Sequence, residues 1–154
     1  MSDERQYCTF YAGDMYFGIW VREVQEVLQY QDMVSVPLAS PVVRGLINLR
    51  GQIVTAVDLR RRLGLPDRLS REDGGSDPMN VVVRTEDGAV SLLVDQIGDV
   101  VEVDEHTFEP PPETLAGHIR DVVEGVYKLD GSLLLILDAQ QAVEVPAPRR
   151  EDAA

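Results

Sequence analysis

Apolar and polar residues alternate in short runs along much of this 154-residue chain, and glycine and aspartate separate the runs. Such alternation is typical of β-strands with one buried face. The runs YCTFYAG and MYFGIWV flank Gly13-Asp14, and NVVVRTE and AVSLLV flank Asp87-Gly88, so each pair predicts a hairpin. The segments that follow, VREVQEVLQY and VDQIGDVVEV, each predict a short helical turn leading into a third strand.

An internal repeat relates the two halves of the chain. At an offset of 80 residues, VRGLINLRGQIVTAVDLRRRL (43–63) aligns with VEGVYKLDGSLLLILDAQQAV (123–143). At an offset of 73 residues, FGIWVREVQEV (17–27) aligns with VSLLVDQIGDV (90–100). The chain therefore reads as two copies of a unit of roughly 65 residues joined by an exposed linker at 64–78, GLPDRLSREDGGSDP.

Each copy also predicts a second hairpin and a short closing helix. In the second copy, Asp130-Gly131 lies between VEGVYKL and SLLLIL, and Asp-Gly between apolar runs is a strong hairpin signal. Arg50 takes the place of Asp130 in the first copy, so its side chain is expected at a turn tip. Asp58 and Asp138 are predicted to cap the two helices, the second with Gln141 at N3, and Gly64 to end the first. Five short strands per copy predict a mainly β fold of two small barrels.

Composition and charge narrow the functional class. The net charge of −13 opposes nucleic-acid binding, whose affinity depends on Lys and Arg contacts to phosphate. Arginine is concentrated in residues 44–71 and acid in residues 72–109, an asymmetry that suits docking to another protein. The apolar runs are too short to span a bilayer, and the first residues, MSDERQYC, lack the order of a signal peptide. With the single Cys8, these features lead us to expect a cytoplasmic protein.

The phrase RGLINLRGQIVTAVDLRRRLGL, with FGIWVREVQEVL upstream, resembles the CheW family of bacterial chemotaxis coupling proteins. Members typically carry G-x-x-N-L-R-G-x-I-x-P-V-x-D-L after a V-x-E-V segment, and Thr55 stands here in place of the usual proline. The resemblance covers about residues 7–145. It implies two intertwined five-stranded SH3-like barrels in one domain, without catalysis, cofactor or metal. Mapped onto the repeat, we expect the first barrel at about 7–63, the second at about 79–145 and a flexible tail at 146–154.

The resemblance also implies partners and a binding surface. The partners would be the regulatory domain of the histidine kinase CheA and the cytoplasmic tips of chemoreceptors, with the protein located at receptor arrays. Nucleic acid and direct membrane insertion are not expected. The matching positions lie on or support the partner surfaces, and they are Val24, Glu26, Val27, Gly45, Arg50, Ile97 and Val100. Taken singly, the valines also suit a core and Gly45 a close backbone approach, and both alternatives stay open.

The residues raise three alternative functions. A coupling role in a paralogous chemosensory pathway, such as one for type IV pili, fits the same features. An acid hydrolase would need Asp58 and Asp138 to share a proton across a pseudo-two-fold axis, yet helix capping already explains both. A free-standing small-barrel module for peptide or oligonucleotide is disfavoured by the 6% of aromatic residues. No nucleophile elbow, P-loop or dinucleotide fingerprint occurs, and His106 and His118 lack the spacing of a zinc site.

The sequence also predicts the surroundings of Arg50 and of the linker. Arg50 needs an orienting partner if it is a working group, and Glu26 is the best candidate for an exposed ion pair close to Val24. The charged residues of the linker have no obvious apolar partner, so we expect the segment 64–78 to be mobile and dispensable.

Overall fold

A computed structural model describes residues 4–37 and 39–144, apart from the side chain of Arg71. The described residues form ten β-strands, three short α-helices and three single turns of 3₁₀ helix. The strands are β1 Glu4–Ala12, β2 Met15–Trp20, β3 Val24–Leu28, β4 Val43–Leu49, β5 Gln52–Asp58, β6 Met79–Thr85, β7 Gly88–Val94, β8 Gln96–Asp104, β9 Val123–Leu129 and β10 Ser132–Leu137. The α-helices are α1 Leu59–Arg62, α2 Gly117–Arg120 and α3 Ala139–Ala142, and the 3₁₀ turns cover Val21–Glu23, Arg71–Asp73 and Glu105–Thr107.

The strands form two five-stranded sheets. The first sheet has the order β8-β1-β2-β10-β9 and the second the order β3-β6-β7-β5-β4. Neighbouring strands are antiparallel except at one junction in each sheet, where β2 pairs with β10 and β7 with β5 in parallel. The predicted mainly β fold of two five-stranded units is confirmed.

The two copies of the repeat exchange strands reciprocally. The hairpin β1–β2 of the first copy lies between strands β8 and β10 of the second, and the hairpin β6–β7 lies between β3 and β5 of the first. Even the parallel registers are equivalent, since Leu135 faces Phe17 in one sheet and Thr55 faces Val90 in the other. The predicted barrel bounds of 7–63 and 79–145 therefore do not describe the sheets, because each sheet takes strands from both halves of the chain. An internal repeat shows which segments are equivalent and leaves open which segments pair.

The main core lies between the two sheets and draws on both. Phe10 and Phe17 of the first sheet are fully buried with Val81 and Leu92 of the second. A smaller apolar cluster around Tyr127 packs within the first sheet's own strands, and another around Ile47 packs within those of the second. The exchange of hairpins thus joins the two sheets into one apolar core, so neither sheet can be exposed without loss of hydrophobic burial.

Aspartate caps begin the closing helices of both copies, as predicted. The Asp58 carboxylate accepts a hydrogen bond from the Arg60 backbone N–H at 2.9 Å, and the Asp138 carboxylate accepts one from the Gln141 backbone N–H at 3.2 Å. Gly64 follows α1 with φ at 72°, and the next residue, Leu65, donates its N–H to the Arg60 carbonyl at 2.8 Å. Gly64 therefore ends the helix in the left-handed conformation that glycine tolerates.

The linker 64–78 is anchored at its start, contrary to expectation. Leu65 packs against the main core, and the Pro66 carbonyl accepts a hydrogen bond from Arg60 at 2.8 Å. Asp67 forms an ion pair with Arg61 at 3.1 Å, and the side chain of Arg68 is only 12% exposed. The charges that had no apolar partner in the sequence find ionic partners in the fold. The predicted tail, 146–154, lies outside the described residues.

Across residues 4–37 and 39–144, no helix has the length and apolar character needed to cross a membrane.

Candidate partner-binding surface

Arg50 lies at the tip of the β4–β5 hairpin in an unusual backbone conformation. Leu49 pairs with Gln52, which leaves Arg50 and Gly51 as a two-residue turn with φ values of 51° and 89°. Positive φ at both positions is the type I′ geometry, which favours Asn-Gly or Gly-Gly. Within the described part of the chain, Arg50 is the one non-glycine residue with positive φ. An arginine is therefore held where a residue with a Cβ atom is disfavoured.

The side chain of Arg50 forms an ion pair with Glu26, as predicted. Arg50 Nη2 donates a hydrogen bond to Glu26 Oε2, and Gln25 Nε2 donates to the same oxygen at 3.2 Å. The hydrogen bond from Arg50, assisted by the one from Gln25, lowers the pKa of the Glu26 carboxyl. The Arg50 side chain remains 68% exposed. Its guanidinium is thus oriented on one side by Glu26 and exposed to solvent on the other.

This ion pair joins the two edges of the second sheet. Glu26 belongs to β3 at one edge, and Arg50 belongs to the hairpin that forms the other edge. The same two edges meet underneath, where Leu28 of β3 packs against the cluster that contains Ile47 and Val54. The Arg50–Glu26 ion pair therefore lies at the surface, above the buried contact between Leu28 and this apolar cluster.

The valines of β3 differ in their surroundings. Val24 is half-buried and packs against the main core, and its carbonyl accepts a hydrogen bond from Arg84 at 3.2 Å. Val27 is 39% exposed and lies directly after Glu26 in the strand. Val27 therefore has solvent-exposed apolar surface, whereas Val24 anchors the strand to the core.

Gly45 serves the packing of the second sheet. A Cβ atom at this buried position would lie 2.6 Å from the carbonyl oxygen of Val34, which pairs with Leu46 as an isolated bridge. Gly125 has the same surroundings in the other copy, where a Cβ atom would lie 2.5 Å from the carbonyl oxygen of Glu109. Both glycines permit a close approach of two backbone segments.

Ile97 and Val100 lie on β8, an edge strand of the first sheet. Ile97 is half-buried against the main core, and Val100 is 58% exposed. The structure thus brings Val24, Glu26, Val27 and Arg50 together and leaves Ile97 and Val100 on the other sheet. Val27 and Val100 occupy equivalent positions of the repeat, 73 residues apart. Each sheet consequently presents one exposed valine on an edge strand.

Sequence reasoning missed a network of ion pairs between the sheets. Asp95 connects β7 of the second sheet to β8 of the first, and its carboxylate accepts a hydrogen bond from the Gly13 N–H at 2.7 Å. It also accepts hydrogen bonds from Arg60 Nη2 at 2.7 Å and from Arg68 Nη2 at 3.0 Å. Arg68 lies 3.7 Å from the buried Asp58, which Arg44 contacts at 3.1 Å. The excess of arginine over acidic residues in the segment 44–71 was the sequence feature that could have indicated this network.

Ionisation of Asp95 is balanced by opposing effects. Burial of the Asp95 carboxyl opposes its ionisation, but the hydrogen bonds from Arg60, Gly13 and Arg68 outweigh burial and lower its pKa. The group is therefore a carboxylate at neutral pH and holds two guanidinium groups at the junction of the sheets.

Asp58 and Asp138 have separate surroundings. Asp58 is buried between Arg44 and Arg68, whereas Asp138 lies near the carboxylates of Glu23 and Glu124. Each aspartate caps its own helix. The arrangement therefore gives no support to a proton shared between the two carboxylates, as an acid hydrolase would require. Among residues 4–37 and 39–144, no group of three or more His, Cys, Asp or Glu side chains has the arrangement of a metal site.

Comparison with known proteins agrees with the fold. The family model described as "CheW-like domain" matches residues 6–146. The chain belongs to the CheW-like domain family. The chemotaxis protein CheW of Treponema pallidum (strain Nichols) is 29% identical over 141 residues, which cover 90% of this chain and 82% of the relative. CheW of Bacillus subtilis (strain 168) is also 29% identical, over 88% of this chain and 84% of the relative.

A solved structure of a CheW scaffold has the same fold. The crystal structure of scaffolding protein TtCheW from Thermoanaerobacter tengcongensis superposes with a TM-score of 0.79 at 28% identity. The match covers 92% of this chain and 93% of that protein. The intertwined architecture is therefore that of a chemotaxis scaffold of the CheW family.

Proposed function

We propose that this protein is a non-catalytic scaffold that couples chemoreceptors to the histidine kinase CheA in a cytoplasmic receptor array. Membership of the CheW-like domain family supports the proposal, as do the names of the relatives, "Chemotaxis protein CheW" and "scaffolding protein TtCheW". A scaffold needs at least two docking surfaces, and each sheet presents an exposed valine on an edge strand, Val27 on β3 and Val100 on β8.

The arrangement of Arg50 and Glu26 is the observation that carries the proposal. An exposed ion pair contributes little to folding, because water solvates both charges nearly as well. Positive φ at Arg50 opposes folding, since an asparagine or glycine would fit the turn with less strain. Local strain that brings no gain in stability is typical of functional positions. We infer that the turn presents an oriented guanidinium to the kinase regulatory domain.

The exposed valines extend this surface and supply a second one. Val27 follows Glu26 in β3 and is exposed, so it offers apolar contact area on the opposite face of the same edge strand. Val100 on β8, the same strand that carries the half-buried Ile97, offers an apolar edge to a helical receptor tip. Two surfaces on different sheets allow the scaffold to hold both partners at once.

The test measures binding of the purified kinase regulatory domain and of a receptor cytoplasmic fragment to Arg50→Ala. Lys128→Ala is the matched control, because Lys128 is 72% exposed and pairs with Glu109 at 3.3 Å. We expect Arg50→Ala to weaken binding of the kinase domain severalfold or more and Lys128→Ala to leave it unchanged. Equal binding by both variants would remove the basis of the proposal.

A charge reversal separates orientation from direct contact. In the double variant Arg50→Glu with Glu26→Arg, the ion pair is retained and the two charges exchange places. Restored binding, relative to Arg50→Glu alone, would show that the pair acts by orienting the turn. Continued loss of binding would show that the partner contacts the guanidinium itself, which is the result we expect.

A further inference from the structure

A cleft on the first sheet is lined by residues of β1, of β9 and of the 3₁₀ turn Glu105–Thr107. Its volume is about 360 Å³, within the range of about 300–1,000 Å³ that is usual for ligand sites. Tyr7 of β1 and Tyr127 of β9 line it and are only 3% and 2% exposed. Phe108, directly after the turn, also lines it and is 40% exposed. The cleft is therefore aromatic, with buried rings inside and one ring reaching solvent.

The position of the Phe108 ring depends on a glycine of the repeat. A Cβ atom at Gly125 would lie 2.2 Å from Cζ of Phe108, so the ring lies directly against the β9 backbone. The centroid of the Phe108 ring is 5.2 Å from that of Tyr127, which is 5.6 Å from that of Tyr7. The three rings consequently form one continuous aromatic wall, on which a cation or a planar group can stack.

The two tyrosines also bring buried hydroxyl groups to the cleft. Burial, and then the Tyr7 hydroxyl beside it, raise the pKa of the Tyr127 hydroxyl, and the charges of Arg5 and Glu105 in the same cleft also act on it. Tyr127 is therefore protonated at neutral pH. A hydrogen bond between the two hydroxyls uses only one of their two protons. Across residues 4–37 and 39–144 the pair has no third hydrogen-bond partner, so one O–H can donate to a ligand.

Carboxylates set the charge of the cleft. Glu105 and Glu124 both line it, together with Arg5. The Arg5 guanidinium is already engaged, since it lies 3.5 Å from Glu105 and 4.4 Å from the centre of the Trp20 ring. Glu124 is exposed and forms no ion pair with any other residue that the structure describes. A ligand in the cleft therefore meets an unpaired carboxylate close to aromatic rings.

The first copy of the repeat contains the equivalent cleft, and a segment of this chain lies along it. Its lining includes Met33, Arg44 and Pro78, which correspond in the repeat to Phe108, Glu124 and Arg5. The isolated bridges of the residues after Met33 and Phe108 are equivalent too. Arg68 and Leu69 of the linker line the same cleft. The fold thus shows that an irregular segment carrying an arginine fits against this part of the repeat unit.

The second cleft differs from the first in charge and in aromatic surface. At the offset of 80 residues, Glu124 replaces Arg44 and Tyr127 replaces Ile47. A guanidinium group stacks on aromatic rings and pairs with a carboxylate through two parallel hydrogen bonds, whereas an ammonium group is a compact point charge. The two replacements therefore favour an arginine side chain as the occupant of the second cleft.

The wider charge distribution favours a basic partner as well. The chain has a net charge of −13, and the acidic segment 72–109, which includes Glu105, has Arg84 as its one Lys or Arg residue. A field of this sign speeds the encounter with a basic segment and disfavours an acidic one.

We propose that this cleft binds an arginine side chain presented by an irregular segment of a partner protein. The guanidinium stacks on the Phe108 ring and pairs with Glu124, and a tyrosine hydroxyl donates to a backbone carbonyl of the segment. The cleft belongs to the first sheet, whereas Arg50 and Glu26 belong to the second. The inference goes beyond the proposed coupling function, because it involves neither the Arg50 turn nor the exposed valines.

The test titrates the isotope-labelled full chain with N-acetyl-arginyl-leucine amide and follows the amide NMR signals. The citrulline analogue, which has nearly the same shape without the charge, is the matched probe. We expect saturable shifts of the amides of Phe108, Glu124 and Tyr127, and binding of the citrulline analogue that is weaker by about tenfold, because the ion pair is lost. Equal affinity for the two probes, or no saturable shift at these amides, would overturn the proposal.

Two variants and a control locate the contact. Glu124→Gln removes the charge, and Phe108→Leu removes the ring but keeps apolar bulk over Gly125. Each should weaken binding of the arginine probe by about tenfold. Glu86→Gln, the same change at an exposed turn of the second sheet, should bind the probe as the wild type does. The amide spectrum of each variant without probe verifies its fold. Unchanged binding in both Glu124→Gln and Phe108→Leu would contradict the assigned contacts.

Two further measurements separate the proposed occupant from others. Guanidinium chloride should bind much more weakly than the peptide probe, since it lacks the carbonyl that accepts from a tyrosine hydroxyl. Equal affinity would make the cleft a site for small cations and overturn the proposal. Amide shifts that grow with protein concentration in the absence of any probe would assign the cleft to a second copy of this chain and overturn it equally.

Discussion

The carboxylate of Asp95 accepts hydrogen bonds from the guanidinium of Arg60 through Nε at 3.0 Å and through Nη2 at 2.7 Å. Asp95 is the residue at which the chain passes from the second sheet to the first, and Arg60 lies in the helix that follows β5. A two-point contact between planar groups restricts rotation as well as separation. The pair therefore fixes the position of α1 relative to the crossover between the sheets.

Acid should weaken this junction in a defined pH range. The folded-state pKa of Asp95 is lowered below its ordinary value of 3.8, so its contribution is complete above about pH 5 and is lost as pH falls through the folded value. Asp95→Asn should lower the unfolding free energy at pH 7 by about 2–4 kcal/mol, because two partly buried guanidinium groups lose their counter-charge.

Urea denaturation of both proteins between pH 7 and pH 2.5 measures this effect. The stability difference between the wild type and Asp95→Asn should shrink as pH falls below about 4. Asp99→Asn, a change in an exposed carboxylate on the neighbouring strand β8, is the control. A difference that stays constant across this range would contradict the role assigned to the Asp95 carboxylate.

Replacement of Arg50 by glycine should separate stability from binding. Arg50→Gly removes the ion pair with Glu26 and relieves positive φ at the turn, so we expect a melting temperature equal to or a few degrees above that of the wild type. Binding of the kinase regulatory domain should nevertheless fall. Differential scanning calorimetry and isothermal titration calorimetry on the same preparation measure both properties. A clear drop in melting temperature would mean that the Glu26 contact matters to folding.

The two repeat glycines should respond alike to substitution. Gly45→Ala and Gly125→Ala each place a Cβ atom against a backbone carbonyl, at 2.6 Å from Val34 and 2.5 Å from Glu109. We expect each variant to lose about 1–3 kcal/mol of unfolding free energy, since the opposing backbone must move. Urea denaturation checks this, with Gly117→Ala as the control because a Cβ atom there meets no atom within 4 Å. A harmless Gly45→Ala that still abolished partner binding would place Gly45 in direct contact with the partner.

Arg68 should anchor the linker. Its guanidinium bridges Asp95 and Asp58, so Arg68→Ala leaves both carboxylates short of a partner and should destabilise the protein by about 1–3 kcal/mol. Hydrogen exchange of residues 64–70 should become faster at the same time. Glu72→Ala, in the exposed second half of the linker, should change neither quantity. Slow exchange retained in Arg68→Ala would show that Leu65 and the contacts of Pro66 and Asp67 hold the segment without Arg68.

Local features of this fold were readable from the sequence because they depend on neighbouring residues. The hairpin at Arg50-Gly51, the caps at Asp58 and Asp138, and the contact between Arg50 and Glu26 all follow from turn chemistry, capping chemistry or the family resemblance. Such features need only a few residues and a known backbone geometry.

The features that escaped prediction combine distant segments. Strand alternation has the same period whether β1 pairs with β8 or with β3, so the pattern could not reveal the exchange of hairpins. The ion network likewise joins Gly13, Arg60, Arg68 and Asp95, which come from four separate parts of the chain. Each of these residues alone is compatible with a solvated surface position.

The reciprocal exchange of hairpins also determines when this protein can fold. Tyr7 of β1 pairs with Val101 of β8, and Phe17 of β2 pairs with Leu135 of β10, so the first hairpin finds both neighbours only after most of the chain exists. Pairings of such long sequence separation lower the folding rate, because loop-closure entropy is lost before the contacts form. A ribosome making this chain therefore carries an exposed β1–β2 edge until β10 emerges, and folding is a late, concerted event of both halves.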